Sequence, residues 1–391
     1  MFEINIESVE FVMACIVLVL FAVQMYYWLA VYRLVSQGVK KQAAKPKKSL
    51  DEMPPMSVVI VTKDSGKMLY DHLVRILEQD YPKFEVVVVN DMSSGEDEDI
   101  LKLLETKYTN LYHTFIPSTA RYISLKKLGI AMGIKASRYD WIVVTEPNCY
   151  PASNKWLQSL ANHIDDRTDI VLGYSNYTLE EVKTGLFYRR IITDNLFTSM
   201  RYLGKAIKGH PYMGIGRNMV YRKALYERHK GFAHQLNLLR GEDDLFVNAL
   251  AKRRNTRVAV EADSIVKIMA PVHKRLWFAE KVSLLVTGDY YKGLARTFNA
   301  IESITCFLIH ILAMAGIAWA VWKKQWVMGA SIALLWLIRY VMVCVIMNTT
   351  AKSMGEKKLF FLPLFDLIRP LWSCQLKMKY WFRTKNDYMR H

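Results

Sequence analysis

The sequence predicts an α/β protein with a mostly parallel central sheet, set between an N-terminal and a C-terminal group of membrane-spanning helices. Three observations predict it. Short apolar runs alternate with amphipathic stretches from residue 56 to about 174, the pattern of buried strands and covering helices. Three other apolar runs are long enough to cross a bilayer. The mean hydropathy of +0.06 is too high for most soluble enzymes and too low for a many-span transporter. The 391 residues are 52% hydrophobic, which excludes disorder, and 18 Gly and 11 Pro exclude collagen-like and low-complexity classes. Five Cys make no disulfide framework.

Residues 11–32 (FVMACIVLVLFAVQMYYWLAVY) carry no charge and are too long for a cleavable signal, so they read as an uncleaved anchor. Glu3, Glu7 and Glu10 precede the run; Arg33, Lys40, Lys41, Lys45, Lys47 and Lys48 follow it. The positive-inside rule then places everything after residue 33 in the cytoplasm. Residues 41–55 read as a basic, Pro-bearing linker. The runs at about 299–322 and 326–347 form a hairpin around Lys323-Lys324-Gln325, and Arg339 inside the second is expected to snorkel or to pair within the bundle. Residues 358–374 are broken by Pro363 and Pro370 and carry Asp366 and Arg369, a poor span and a good interfacial segment. The basic, aromatic tail suits an anionic leaflet. The expected division is anchor 1–40, linker 41–55, α/β domain 56–295, hairpin 296–348, and interfacial segment with cytoplasmic tail 349–391.

Within the domain, strands are expected at Met56–Thr62, Phe84–Asn90, Leu111–Phe115, Trp141–Thr145 and Ile170–Tyr174. Helices are expected after residue 66, at Glu96–Tyr108, Thr119–Ser137 and Ser153–Ile164. Beyond about residue 185 the pattern becomes more helical. Ligands of such sheets bind outside the carboxyl ends of the strands. Three ends carry polar groups: Thr62-Lys63-Asp64, Asn90-Asp91-Met92-Ser93-Ser94, and Thr145-Glu146-Pro147-Asn148. No GxGxxG and no P-loop follows them, so a bound phosphate must meet a metal or basic side chains.

Gly241-Glu242-Asp243-Asp244 opens a helical stretch at 242–253. Acids at a helix start satisfy capping, but three in succession exceed that need, and one is a candidate general base. Asp91 is read as a ligand contact rather than a turn residue. Lys126 and Lys127 precede the strand at Trp141, with one of the two expected on a solvated face. The net charge of +17 fits nucleic acid, anionic lipid or an anionic substrate. No nucleic-acid motif is present, and the apolar runs favour the other two.

Taken in order, the segments MSVVIVT, FEVVVVNDMSS, KKLGIAMGIKAS, WIVVTEPNCYPASNKWL, GIGRNMVYRKALY and GEDDLFVNALAK resemble the membrane-bound family-2 inverting glycosyltransferases of the GT-A fold. The match covers about Met56 to Lys292. The resemblance implies that Asp91 and the Thr62 backbone contact the nucleoside of a nucleotide-sugar, with UDP-sugars favoured. It implies that Glu146-Pro147-Asn148 stands where the family has DxD, so Glu146 and Asn148 would hold a divalent metal, Mg or Mn, and the diphosphate. Lys126, Lys127 and Arg275 are further candidates for donor contact. Glu242-Asp243 matches the acidic pair that supplies the base, which is Asp243 or, in the other register, Glu242. The acceptor would be lipid-linked or a membrane-proximal glycan, in cell-envelope polysaccharide biosynthesis at the plasma (inner) membrane, with a cytoplasmic catalytic domain and no nucleic-acid partner. Two departures stand out. DxD reads Glu-Pro-Asn, and the QxxRW of processive members is missing, its nearest segments being His273–Trp277 and Glu280–Leu284. These favour single transfer over processive synthesis, and leave a degenerate sugar-nucleotide binder or scaffold as the alternative.

Overall fold

A computed structural model describes residues 9–91, 95–117, 119, 124–178, 185–271, 274–356 and 362–382. The expected Met92–Ser94 turn, His273 and the tail beyond 382 lie outside the described residues.

Among the described residues ten strands form: β1 (Met56–Thr62), β2 (Phe84–Asn90), β3 (Leu111–Phe115), β4 (Trp141–Thr145), β5 (Cys149–Pro151), β6 (Ile170–Gly173), β7 (Ser175–Tyr177), β8 (Met219–Arg222), β9 (Thr256–Ala259) and β10 (Val266–Ile268). Seven make the main sheet in the order β3-β2-β1-β4-β8-β6-β9, and β5-β10-β7 make a smaller one. The valine and isoleucine runs of β1, β2 and β4 are buried on both faces, as a parallel sheet covered on both sides requires. Helix Leu125–Ala136 lies directly on this sheet. A Cβ on its Gly133 would come within 2.4 Å of a Val59 methyl, so only glycine permits the approach.

β8 is a strand that the α/β alternation does not announce. It runs antiparallel to both β4 and β6 and so enters the sheet from the opposite end. Several helices are shorter than their patterns suggest. Ser153–Ile164 yields Trp156–Ala161, and 242–253 yields Asp244–Leu250, which ends where Ala251 turns extended. Helix Leu125–Ala136 starts at Ser124, whose hydroxyl accepts the Lys127 N–H at 3.3 Å.

Among the described residues three helices are long and apolar enough to cross a membrane: Phe11–Ala43, Ala295–Trp322 and Trp326–Ser353. The first is one rod through a π turn at Trp28–Tyr32. It presses on helix Leu186–Ile207, where a Cβ on Gly204 would stand 2.5 Å from the Val31 carbonyl oxygen. The stretch read as a linker is tied to the domain: Gln42 bonds the Val258 carbonyl at 2.7 Å and the Val260 N–H at 2.9 Å, and the Lys48 N–H donates to Asn162 at 2.9 Å. Arg339 pairs within the bundle, to Asp366 at 2.6 Å. That partner lies on Leu362–Trp381, a helix that runs through Pro370 where the sequence pattern suggests a break. Arg369 of the same helix meets Glu302 at 2.9 Å. Two ion pairs therefore fasten this helix to the long ones, which helps offset the backbone hydrogen bond that proline removes.

Candidate active site

Strand register brings three of the predicted positions to one edge. Thr62 lies beside Asn90, and Ile60 beside Thr145, so Thr62, Asp91 and Glu146 all follow the carboxyl ends of adjacent strands. Thr62 carries the Asp91 N–H on its carbonyl at 2.9 Å, while its hydroxyl turns to Asp97 at 2.8 Å. Asp91 pairs with Lys63 at 3.2 Å.

Around Glu146 a dense ionic cluster forms. Lys126 Nζ meets Glu146 Oε1 at 2.6 Å and Glu242 Oε1 at 3.0 Å. Arg217 meets Glu146 Oε2 at 2.9 Å and Glu280 at 2.7 Å. Arg217 arrives through β8: pairing of Met219 with Val144 sets the residues just before β8 against those just after β4, and the Thr145 hydroxyl donates to the Arg217 carbonyl at 2.9 Å. Burial opposes the charge of Glu146, but Lys126 and then Arg217 hold its carboxyl well below the usual range. Burial likewise opposes the Lys126 ammonium, and Glu146 and Glu242 outweigh it.

The three successive acids separate into different environments. Burial raises the Glu242 carboxyl, and Lys126 more than reverses that, so it stays ionised. Asp243 accepts the Gly216 N–H at 2.9 Å and the Asp244 N–H at 2.7 Å. Burial, then the Glu242 charge, push its carboxyl upward. Asp244 is buried, accepts from the hydroxyls of Thr287 and, at 2.9 Å, Tyr291, and is pushed up to about 7 by burial and then by Asp243. All three line a cavity of about 30 Å³ with Lys126, Glu146, Arg217 and Glu280. Of the three, Asp243 is the most exposed to it. An acid with a raised pKa, held by two backbone amides and facing a cleft, is what proton transfer at neutral pH needs.

Other predicted positions fall elsewhere. Lys126 is partly exposed but turns its ammonium to carboxylates, whereas Lys127 is buried and spends its three ammonium hydrogens on the carbonyls of Gln235, Leu238 and Arg240, at 2.6, 2.7 and 2.9 Å. It pins the loop that leads into Glu242 instead of facing the cavity. Arg275 is exposed on the first turn of helix Lys274–Gly288 and does not line the cavity, whereas Glu280 of that helix does. Arg217 and Glu280 carry no role in the sequence reading, because their partnership depends on an antiparallel strand and a distant helix.

A divalent metal does not fit this donor set. Both Glu146 oxygens are committed to Lys126 and Arg217, and the Asn148 carbonyl oxygen accepts from the Cys149 thiol at 3.4 Å. His72 holds the turn through the Pro147 carbonyl at 2.8 Å. A hard cation prefers several free oxygen ligands, and here it would sit beside two fixed positive charges.

Residues 57–230 match the sequence profile of glycosyl transferase family 2. Among solved structures, the chain is similar to the mannosyltransferase PcManGT from Pyrobaculum calidifontis in complex with GDP-Man and Mn2+, at 17% identity and a TM-score of 0.54, over 88% of this chain and 99% of that one. It also aligns with S. aureus TarS 1–349, at 16% identity and a TM-score of 0.43, over 84% and 93% of the two chains. Among curated proteins no match is found. The mostly parallel sheet is thus that of the GT-A fold, and residues 57–230 carry a glycosyl transferase family 2 domain, which stands, among the described residues, beside three helices long and apolar enough to cross a membrane.

Proposed function

We propose that the protein transfers one sugar, with inversion, from a nucleotide-sugar to a hydroxyl of a lipid-linked or membrane-proximal glycan acceptor. The observation that carries this reading is Asp243, an amide-held carboxyl with a raised pKa, facing the cavity that Lys126 and Arg217 also line. Asp243 takes the acceptor's hydroxyl proton as that oxygen bonds to the anomeric carbon. The bond from that carbon to the diphosphate breaks, and the electron pair leaves with the phosphate oxygen. Lys126 and Arg217 keep their carboxylate partners, and the N–H groups those pairs leave over stabilise the departing charge. Asp91 and the Thr62 backbone, at the neighbouring strand ends, would receive the nucleoside. The GDP-Man held by PcManGT supports a nucleotide-sugar donor. The basic residues that follow the apolar run 11–32 support a cytoplasmic domain at the inner membrane.

One feature favours a second reading, a binder without transfer: Glu146 offers no free oxygen where metal-dependent relatives would need one. A single experiment decides between them. The detergent-purified chain is given UDP-, GDP- and dTDP-sugars with total lipid extract, with Mn²⁺ or EDTA, beside Asp243→Asn. The expected result is lipid-dependent nucleotide release from one donor. It should be unchanged by EDTA within about twofold, and about 10²–10⁴-fold slower in the variant, the usual contribution of a general base. Donor binding without release supports the binder, and release abolished by EDTA overturns the metal-free site.

A further inference from the structure

A second cavity, of about 520 Å³, lies where the domain meets two of the long apolar helices. Tyr26 of the N-terminal rod and Leu294 and Phe298, at the start of the second long helix, form one side of it. Lys205, Lys208, His210, Lys252, Arg253 and Lys292 also line it, and no carboxylate does. Among the described residues none of these six forms an ion pair. The adjoining cavity of about 310 Å³ shares Lys208 and Arg253, but its own His163 and Arg257 are paired with Glu261 and Asp165, each at 2.9 Å.

Lys205 is the centre of the site. It is 8% exposed, and its Nζ stands 4.0 Å from the ring centre of Phe298 and 4.7 Å from that of Tyr212. Burial, then the Arg201 charge, lower its amine to about 8. Burial of an unpaired ammonium is costly; the two aromatic faces offset part of that cost, and a bound anion would offset more. Lys208 hydrogen-bonds the Tyr26 hydroxyl at 2.7 Å, which sets a second ammonium at the rod.

We propose that this cavity binds the phosphate headgroup of a membrane lipid. Unpaired cations supply the charge that a phosphate ester needs. Leu294, at the foot of the second long helix, is 80% exposed, and Tyr26, midway along the N-terminal rod, is 48% exposed, so acyl chains have an apolar path away from the headgroup. A free anion needs no such path. The bound phosphate would lie close to the acidic cavity: Tyr212 packs on Tyr291 at 5.9 Å between ring centres, and Tyr291 bonds Asp244. The proposal rests on the membrane reading and not on sugar transfer.

The test is a binding titration on the full chain in detergent with dihexanoyl phosphatidic acid, against dihexanoyl phosphatidylcholine and inorganic phosphate. Phosphatidic acid should bind at least about tenfold more tightly than either, the difference expected of one charge-assisted contact or more. Lys205→Met should weaken it by at least about tenfold. Because a buried substitution can unfold the chain, Arg253→Gln with Lys292→Gln, both at exposed positions, should weaken it in the same direction while the melting temperature is kept. Equal binding of the two lipids, or full affinity in both variants, overturns the proposal. Inorganic phosphate as tight as the lipid overturns the lipid as its source.

Discussion

The two cavities solve opposite charge problems with the same residue types. In the acidic cavity each central cation has a carboxylate partner: Lys126 has Glu146 and Glu242, and Arg217 has Glu146 and Glu280. In the basic cavity five lysine and arginine side chains, with His210, face one space with no acid among the lining residues. Paired charges fix a geometry, because removing either partner strands the other. Unpaired ones fix little and remain available to a ligand. The difference says where the fold's stability depends on charge and where it leaves charge free.

The largest expected effect tests the first half of that statement. Arg217→Met should leave Glu146 and Glu280 facing each other without their shared guanidinium. Breaking a buried pair costs about 3–5 kcal/mol, and the partial exposure of the two carboxylates points to the lower end. The melting temperature in detergent should drop sharply, with Arg217→Lys intermediate because an ammonium lacks the planar fork. An Arg217→Met protein as stable as the parent would mean that the pairs are incidental.

Asp244 sharpens the picture, since, like Asp243, it forms no ion pair among the described residues, and it is the more deeply buried of the two. Its folded pKa of about 7 lies above the ordinary 3.8. Between those values the folded chain binds more protons than the unfolded chain, so stability falls as pH rises through that window and the loss is complete above about 7. Asp244→Asn keeps an acceptor for Thr287 and Tyr291 and has no charge to bury. The variant should therefore gain on the parent with rising pH, by up to about 4 kcal/mol at pH 8 and by nothing near pH 4. Paired melting curves across that range check the sign. A constant offset would show that Asp244 does not titrate in the window.

Much of this was legible in the sequence. The valine runs of β1 and β2 can only be buried strands, and their polar ends mark the ligand edge without any contact map. The run Glu242-Asp243-Asp244 announced itself by exceeding what a helix cap needs. What stayed hidden depends on direction and distance. Four residues of β8 carry no sign that they run antiparallel, yet that reversal is what sets Arg217 beside Glu146. Lys126 and Lys127 are adjacent in sequence and differ only in which way the helix turns them, one to carboxylates and the other to three carbonyls. The basic cavity was invisible for a related reason. Its residues come from the end of one helix, the loop after another and the foot of a third, and only the fold gathers them.

The smallest effect tests the other half of the comparison. Lys292 is exposed at the basic cavity, and the Asn248 side chain accepts its backbone N–H at 2.7 Å, a bond that survives any change of side chain. Lys292→Gln therefore removes one positive charge from a like-charged group and no pairing interaction. Surface substitutions of this kind stay within about 0.5 kcal/mol, and relief of repulsion makes the expected sign stabilising. The gain should shrink as salt rises, because exposed charges are screened over about 8 Å at physiological ionic strength. Melting curves of parent and variant at low and high salt measure both features. A clear loss of stability that salt does not alter would mean that Lys292 has a structural partner, and the contrast between the two cavities would fail at that residue.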